Sequence, residues 1–201
     1  LDVRRTSDGV LVVHHNPHLA DGTVISQVTA AELPDHLPTL TAALDACEGM
    51  WVNVEIKNDP GEADFDPSES IADDTVALLR GRHQDHRWLI SAFRIETVDR
   101  CRQLAPAIRT AWLTVQVPDD AVDLLVLNYC NWDKPGLSDD AKAGLLKHLA
   151  RGGGLSVIHF ANGAWNPTIP AKDSDWPDFR EKIVRRVWMH PASGHDPFGP
   201  F

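Results

Sequence analysis

Short apolar runs alternate with stretches of helical periodicity along most of this 201-residue chain, and that alternation restricts it to a mainly parallel sheet covered by helices. Runs rich in Val, Ile, Leu and Trp at residues 10–14, 50–57, 88–92, 109–114, 124–129 and 155–160 predict strands. Between them, Leu40, Ala43, Leu44 and Cys47 recur at helical spacing, with Gly49 placed to end the helix. Ser70 and Asp73 have the spacing of a capping box ahead of Val76 and Leu79, and Ile95, Val98 and Cys101 mark a further helix that Pro106 stops. Ser138 is suited to cap a helix whose first turn carries Asp139 and Asp140, whose stripe is Leu145, Leu146 and Leu149, and which Gly152, Gly153 and Gly154 end.

The net charge of −10 argues against nucleic acid or an anionic membrane surface as partner. Residues 1–122 hold 20 acidic and 10 basic side chains, so they carry the whole imbalance, whereas residues 123–201 hold nine of each. That asymmetry is compatible with two origins. Cys47, Cys101 and Cys130 form no C-x-x-C pair, so neither a zinc site nor a disulfide framework is expected, and a reducing cytoplasm is favoured. No apolar run reaches the roughly 18 residues of a membrane span, and no leader pattern precedes residue 20.

Parallel-sheet enzymes place their chemistry at the C-terminal ends of strands. His15 follows the apolar run at 10–13, and Glu55 and Lys57 close the run that begins near Trp51. Strand alternation points Glu55 and Lys57 to one face. There they either form a structural ion pair or supply a carboxylate for a divalent cation and an ammonium for a phosphate oxygen.

The order D-V-x-x-T-x-D-G-x-x-V-V-x-H from Asp2, then Leu37-Pro38-Thr39-Leu40, Asn53-x-Glu55-Ile56-Lys57 and Ser91-Ala92-Phe93, resembles the glycerophosphodiester phosphodiesterase family over about 115 residues. The resemblance implies a (β/α)₈ barrel that hydrolyses phosphodiesters such as glycerophosphocholine with Ca²⁺ or Mg²⁺. It implies Asp2 and Glu55 as metal ligands, His15 as one of two acid/base histidines and Lys57 as a phosphate-binding residue. The family's His-Arg-Gly and Glu-Asn-Thr motifs, and the Glu of its E-x-D pair, have no counterpart in these residues, and Asn16 stands where the family usually carries Asp. Weak metal binding is the expectation.

From Asp123 onward, Leu127-Asn128-Tyr129-Cys130-Asn131-Trp132, the run from Gly152 to Trp165 and Ser193-Gly194-His195-Asp196 resemble the trehalose-utilisation (ThuA-like) family. That resemblance implies part of a flavodoxin-like sheet related to class I glutamine amidotransferases. The segment 159–163 offers no Cys or Ser nucleophile, so amidotransferase chemistry is not expected. Trp132, His159, Asn162, Trp165, His195 and Asp196 are candidate sugar or pocket residues, although core and interface packing is the favoured reading of the tryptophans.

The expected architecture is therefore α/β: part of a (β/α)₈ barrel over residues 1–122, lacking its first and last strands, joined to part of a flavodoxin-like sheet over residues 123–201. No closed eight-stranded barrel is expected. The leading functional expectation is a chimera of two truncated enzyme-like parts with no complete active site. The alternatives are weak metal-dependent glycerophosphodiester hydrolysis through the first part and carbohydrate-related binding through the second. A small phosphodiester or sugar-like ligand, and self-association through exposed sheet edges, are the expected partners.

Overall fold

The computed structural model describes residues 1–114, 122–128 and 130–185. It divides into two compact units, Leu1–Thr114 and Val115–Phe201. Unit 1 is a five-stranded sheet in the order β2-β1-β3-β4-β5, built from β1 (Asp2–Arg5), β2 (Leu11–Val13), β3 (Val52–Ile56), β4 (Trp88–Ala92) and β5 (Arg109–Trp112). β1 pairs with β2 in a hairpin, and all other pairings are parallel. Periodicity does not predict β1, because Asp2-Val3-Arg4-Arg5 has one apolar residue. Its charges are accommodated by partners from distant loops, which a local pattern cannot reveal.

The helices α1 (Leu40–Ala46), α2 (Ser70–Gly81) and α3 (Ile95–Leu104) all cover one face of this sheet. Leu40, Leu44, Ile71, Val76, Leu79, Val98 and Cys101 bury there against Val3, Val52, Val54, Ile56, Trp88, Ile90 and Ala92 in one core. Asn53 and Glu55, which alternate with those valines, turn to the opposite, helix-free face. One-sided coverage of a parallel sheet is the arrangement of a (β/α) barrel wall, whose helix-free side is its interior. β5 has no further partner strand among the described residues.

Thr39 caps α1, its hydroxyl accepting the Ala42 amide at 3.1 Å. The capping box expected at Ser70 and Asp73 is not formed. Ser70 is already the first helical residue, and Glu69 precedes it at φ 61° without a side-chain cap. Asp66 does the capping instead, accepting the Ile71 amide at 3.1 Å, the Ser70 hydroxyl at 2.6 Å and the Ser68 amide at 3.0 Å. Arg5 pairs with the same carboxylate at 3.0 Å. Partial burial works against the Asp66 charge, but the donors from Ser68, Ser70 and Ile71 outweigh it and hold the carboxyl well below the usual range.

A depressed carboxylate contributes stability above its unfolded pKa and loses it as pH falls toward the folded one. Asp66→Asn is therefore expected to cost about 1–3 kcal/mol at pH 7. Urea denaturation at pH 7 and pH 3 checks this, because the gap to the unsubstituted protein should narrow below about pH 4, where unfolded Asp protonates.

In unit 2, β6 (Leu124–Leu127) and β7 (Gly154–Val157) pair in parallel around the crossover helix α4 (Asp139–Ala150). Ser138 caps α4 as expected, accepting the Ala141 amide at 3.2 Å. Leu125, Leu127, Leu155 and Val157 pack with Leu145, Trp165, Trp176 and Phe179, while Leu124 and Val126 on the other face of β6 are each 55% exposed. A flavodoxin-like sheet needs helices on both faces. Among the described residues unit 2 shows coverage of one face only.

Candidate active site

The candidate site is laid out by strand register on the helix-free face of unit 1. Asp2 pairs with Glu55, and Glu55 pairs with Ser91, so three neighbouring strands place these side chains in one row. Lys57 lies one alternation further on, and its ammonium is 2.6 Å from Glu55 Oε1. That short contact is an ion pair without hydrogen-bond geometry. Glu55 and Lys57 are only 16% and 12% exposed at the side chain. The motif Ser91-Ala92-Phe93 closes the row: the Ser91 hydroxyl donates to Asn53 Oδ1 at 3.0 Å, and the Lys57 ammonium sits 5.9 Å from the centre of the Phe93 ring.

His15 is carried to the same strand ends by the β1–β2 hairpin. The His14 amide donates to the Asp2 carbonyl at 2.9 Å, which ties the segment after β2 to the residue bearing the first carboxylate. The exposed His15 ring turns its Nδ1 to Asn16 Oδ1 at 2.9 Å. His14 Nδ1 instead contacts the Asn16 carbonyl oxygen at 2.8 Å.

Sequence reasoning missed Arg4, which is fully buried behind this arrangement. Its Nε and Nη2 donate to the His15 carbonyl at 3.1 and 2.5 Å. Nη2 and Nη1 grip Glu62 at 3.0 and 2.7 Å, and Nη1 also reaches Asp64 at 2.8 Å. Burial works against the guanidinium charge, yet the hydrogen bonds to Glu62 and Asp64 more than offset it and hold the pKa above its ordinary value. One signal in the sequence pointed to it: Arg4 alternates with Asp2, on the face where a buried charge requires partners.

The candidate residues of the second part do not assemble comparably. Trp165 is buried at 1% exposure, edge-on to Phe179 at 4.8 Å and to Trp176 at 6.0 Å, so its faces are core surface rather than a sugar platform. It holds φ 49°, and its Nε1, like Asn162 Oδ1, is buried without a partner. Trp132 is 42% exposed. His195 and Asp196 lie outside the described residues, as does the side chain of His159.

A parallel sheet covered on one face, with acidic, basic and imidazole groups at its strand ends, defines a (β/α)-barrel-type enzyme fold. Residues 1–139 match the glycerophosphoryl diester phosphodiesterase family, and the chain belongs to that family. Among solved structures it is similar to a protein of Silicibacter pomeroyi assigned as a glycerophosphoryl diester phosphodiesterase, with 22% identity, coverage of 92% of this chain and 76% of that one, and a TM-score of 0.52. A glycerophosphodiester phosphodiesterase from Parabacteroides distasonis is similar at 18% identity, 91% and 73% coverage and a TM-score of 0.52. A protein of Galdieria sulphuraria assigned to the same activity shares 18% identity, with 78% and 69% coverage and a TM-score of 0.53. At these identities the likeness is one of fold. No curated protein matches.

The family match runs to residue 139, past the boundary expected at residue 122. Nothing in the fold or the comparisons supports a trehalose-utilisation-like part, and the two-origin expectation is left without support.

Proposed function

We propose that this chain hydrolyses glycerophosphodiesters, with His15 in acid/base catalysis, Lys57 binding a phosphate oxygen, and Asp2 and Glu55 as carboxylate ligands of a divalent cation. The observation that carries the reading is the register pairing of Asp2 with Glu55 on the helix-free face, beside a Lys57 ammonium held 2.6 Å from Glu55 Oε1.

The chain's own residues supply the following chemistry. If His15 Nδ1–H donates to Asn16 Oδ1, that bond orients the ring and leaves Nε2 free to take or deliver a proton. Lys57 attracts a phosphate oxygen as a point charge, and Phe93 beneath the ammonium limits its freedom. The partial desolvation of Lys57 strengthens that attraction relative to bulk water.

The donor set fits a weakly held hard cation. A divalent oxygen-loving ion takes six or more ligands, and no group of three or more His, Cys, Asp or Glu able to hold a metal ion occurs among the described residues. Two carboxylates would leave most of the coordination sphere to water and substrate. When bound, such an ion supplies charge neutralisation for the phosphoryl oxygens. Titration calorimetry with Ca²⁺ or Mg²⁺ is expected to give a dissociation constant weaker than micromolar, and Glu55→Gln to abolish the heat. Tight binding that survives Glu55→Gln would place the ion elsewhere.

The deciding experiment is release of glycerol phosphate from glycerophosphocholine with added Ca²⁺ or Mg²⁺. Turnover lost in both His15→Ala and Glu55→Ala supports the reading, and turnover indifferent to both overturns it. No helix among the described residues is long and apolar enough to cross a membrane.

A further inference from the structure

We propose that Arg4 is a positioning residue that sets the place of His15, by clamping the backbone of the His15 segment against the acidic loop that follows β3. The proposal rests on His15 being the acid/base group. The two-residue segment 14–15 is pinned at both ends to one strand. The His14 amide donates to the Asp2 carbonyl at 2.9 Å, and the His15 carbonyl accepts from Arg4 Nε and Nη2 at 3.1 and 2.5 Å. The second anchor is one bond from the Cα that carries the imidazole. Residues 2 and 4 of β1 thus fix where that Cα sits relative to the Asp2 carboxylate.

The guanidinium is itself immobilised. Its five N–H groups are all engaged: one on Nε, two on Nη2 shared between His15 and Glu62, and two on Nη1 shared between Glu62 and Asp64. Arg4 is fully buried, and Asp64 is exposed by only 4% at the side chain. Buried charges held by two carboxylates and a carbonyl have one geometry that satisfies every partner, so the arrangement is stiff. Lysine offers three donors from a single point and cannot fork one carbonyl while gripping two carboxylates. A distance-sensitive proton transfer can lose about 10²-fold from a displacement of roughly 1 Å. The clamp also joins the two functional segments, because Glu62 and Asp64 lie on the chain that leaves β3 just after Glu55 and Lys57.

The test combines kinetics with a measurement independent of turnover. In Arg4→Lys, which keeps charge and bulk, kcat for glycerophosphocholine is expected to fall about 10- to 100-fold with KM changed less than about threefold. The His15 ring resonance, assigned by its loss in His15→Ala, should move or split in the Arg4→Lys NMR spectrum, while those of His83 and His86 stay in place. Asp64→Asn, which loosens the clamp while leaving Arg4 present, should move the same resonance in the same direction by less, and it serves if Arg4→Lys does not fold. An unmoved His15 resonance in a folded variant overturns the proposal. So does a moved resonance with undiminished kcat. Should the unsubstituted protein turn over no glycerophosphodiester while the resonance still moves, the positioning role stands and the proposed function falls.

Discussion

Replacement of His15 by alanine is expected to lower glycerophosphocholine hydrolysis about 10²- to 10⁴-fold, the range that a positioned proton-transfer group contributes. A phosphodiester expels a poor alkoxide leaving group, so a group that moves a proton at the reacting oxygens governs the barrier. His15 follows His14, whose amide is bonded to the Asp2 carbonyl, and its exposed ring turns Nδ1 to Asn16 Oδ1. Its removal should leave the fold intact, with an unchanged thermal midpoint and circular dichroism spectrum. Michaelis–Menten kinetics on both proteins check the prediction. A loss below threefold would show that another group moves the proton.

The largest effect on stability is expected from Trp88→Ala, at about 3–5 kcal/mol. Trp88 opens β4 at 0% exposure and is among the largest side chains wholly inside the first unit, in the core shared by Val52, Val54, Leu79 and Ile108. Its indole nitrogen has no partner there, so Trp88→Ala gives up packing and apolar burial rather than a hydrogen bond. Trp51, 66% exposed with Arg109 over its ring at 4.6 Å, provides the comparison: Trp51→Ala should cost less than about 1 kcal/mol, the scale of an exposed cation–π contact. Chemical denaturation of both variants separates the two cases. Equal losses would mean that Trp88 sits in a core able to collapse around its absence.

Much of the fold was legible in advance, because burial on one face imposes a period that can be read in one dimension. The apolar runs became β2 through β7 with ends shifted by a few residues, and Ser138 capped α4 as its side chain requires. β1 escaped detection because charged residues make up three of its four positions, and its strand character rests on pairing with residues 11–13 and 55–56. The cap of α2 was misplaced for a related reason. Asp66 lies five residues before the amide that it accepts, while the local Ser70–Asp73 spacing imitates a box that the chain does not use.

The candidate site divides along the same line. By itself the sequence determined that His15, Glu55 and Lys57 lie at strand ends, since strand alternation is a local property, while Asp2 was named only through the order of motifs. Their assembly was decided by the parallel register that sets Asp2 against Glu55, 53 residues apart in the chain. The tertiary structure alone placed Arg4 behind His15, because its partners Glu62 and Asp64 stand 58 and 60 residues away. It alone turned Trp165 inward against Phe179 and Trp176. A side chain's intrinsic chemistry travels with the sequence, but its solvation and its partners arise from segments brought together by folding, and these decide whether a charge pairs and whether an aromatic face is core or surface.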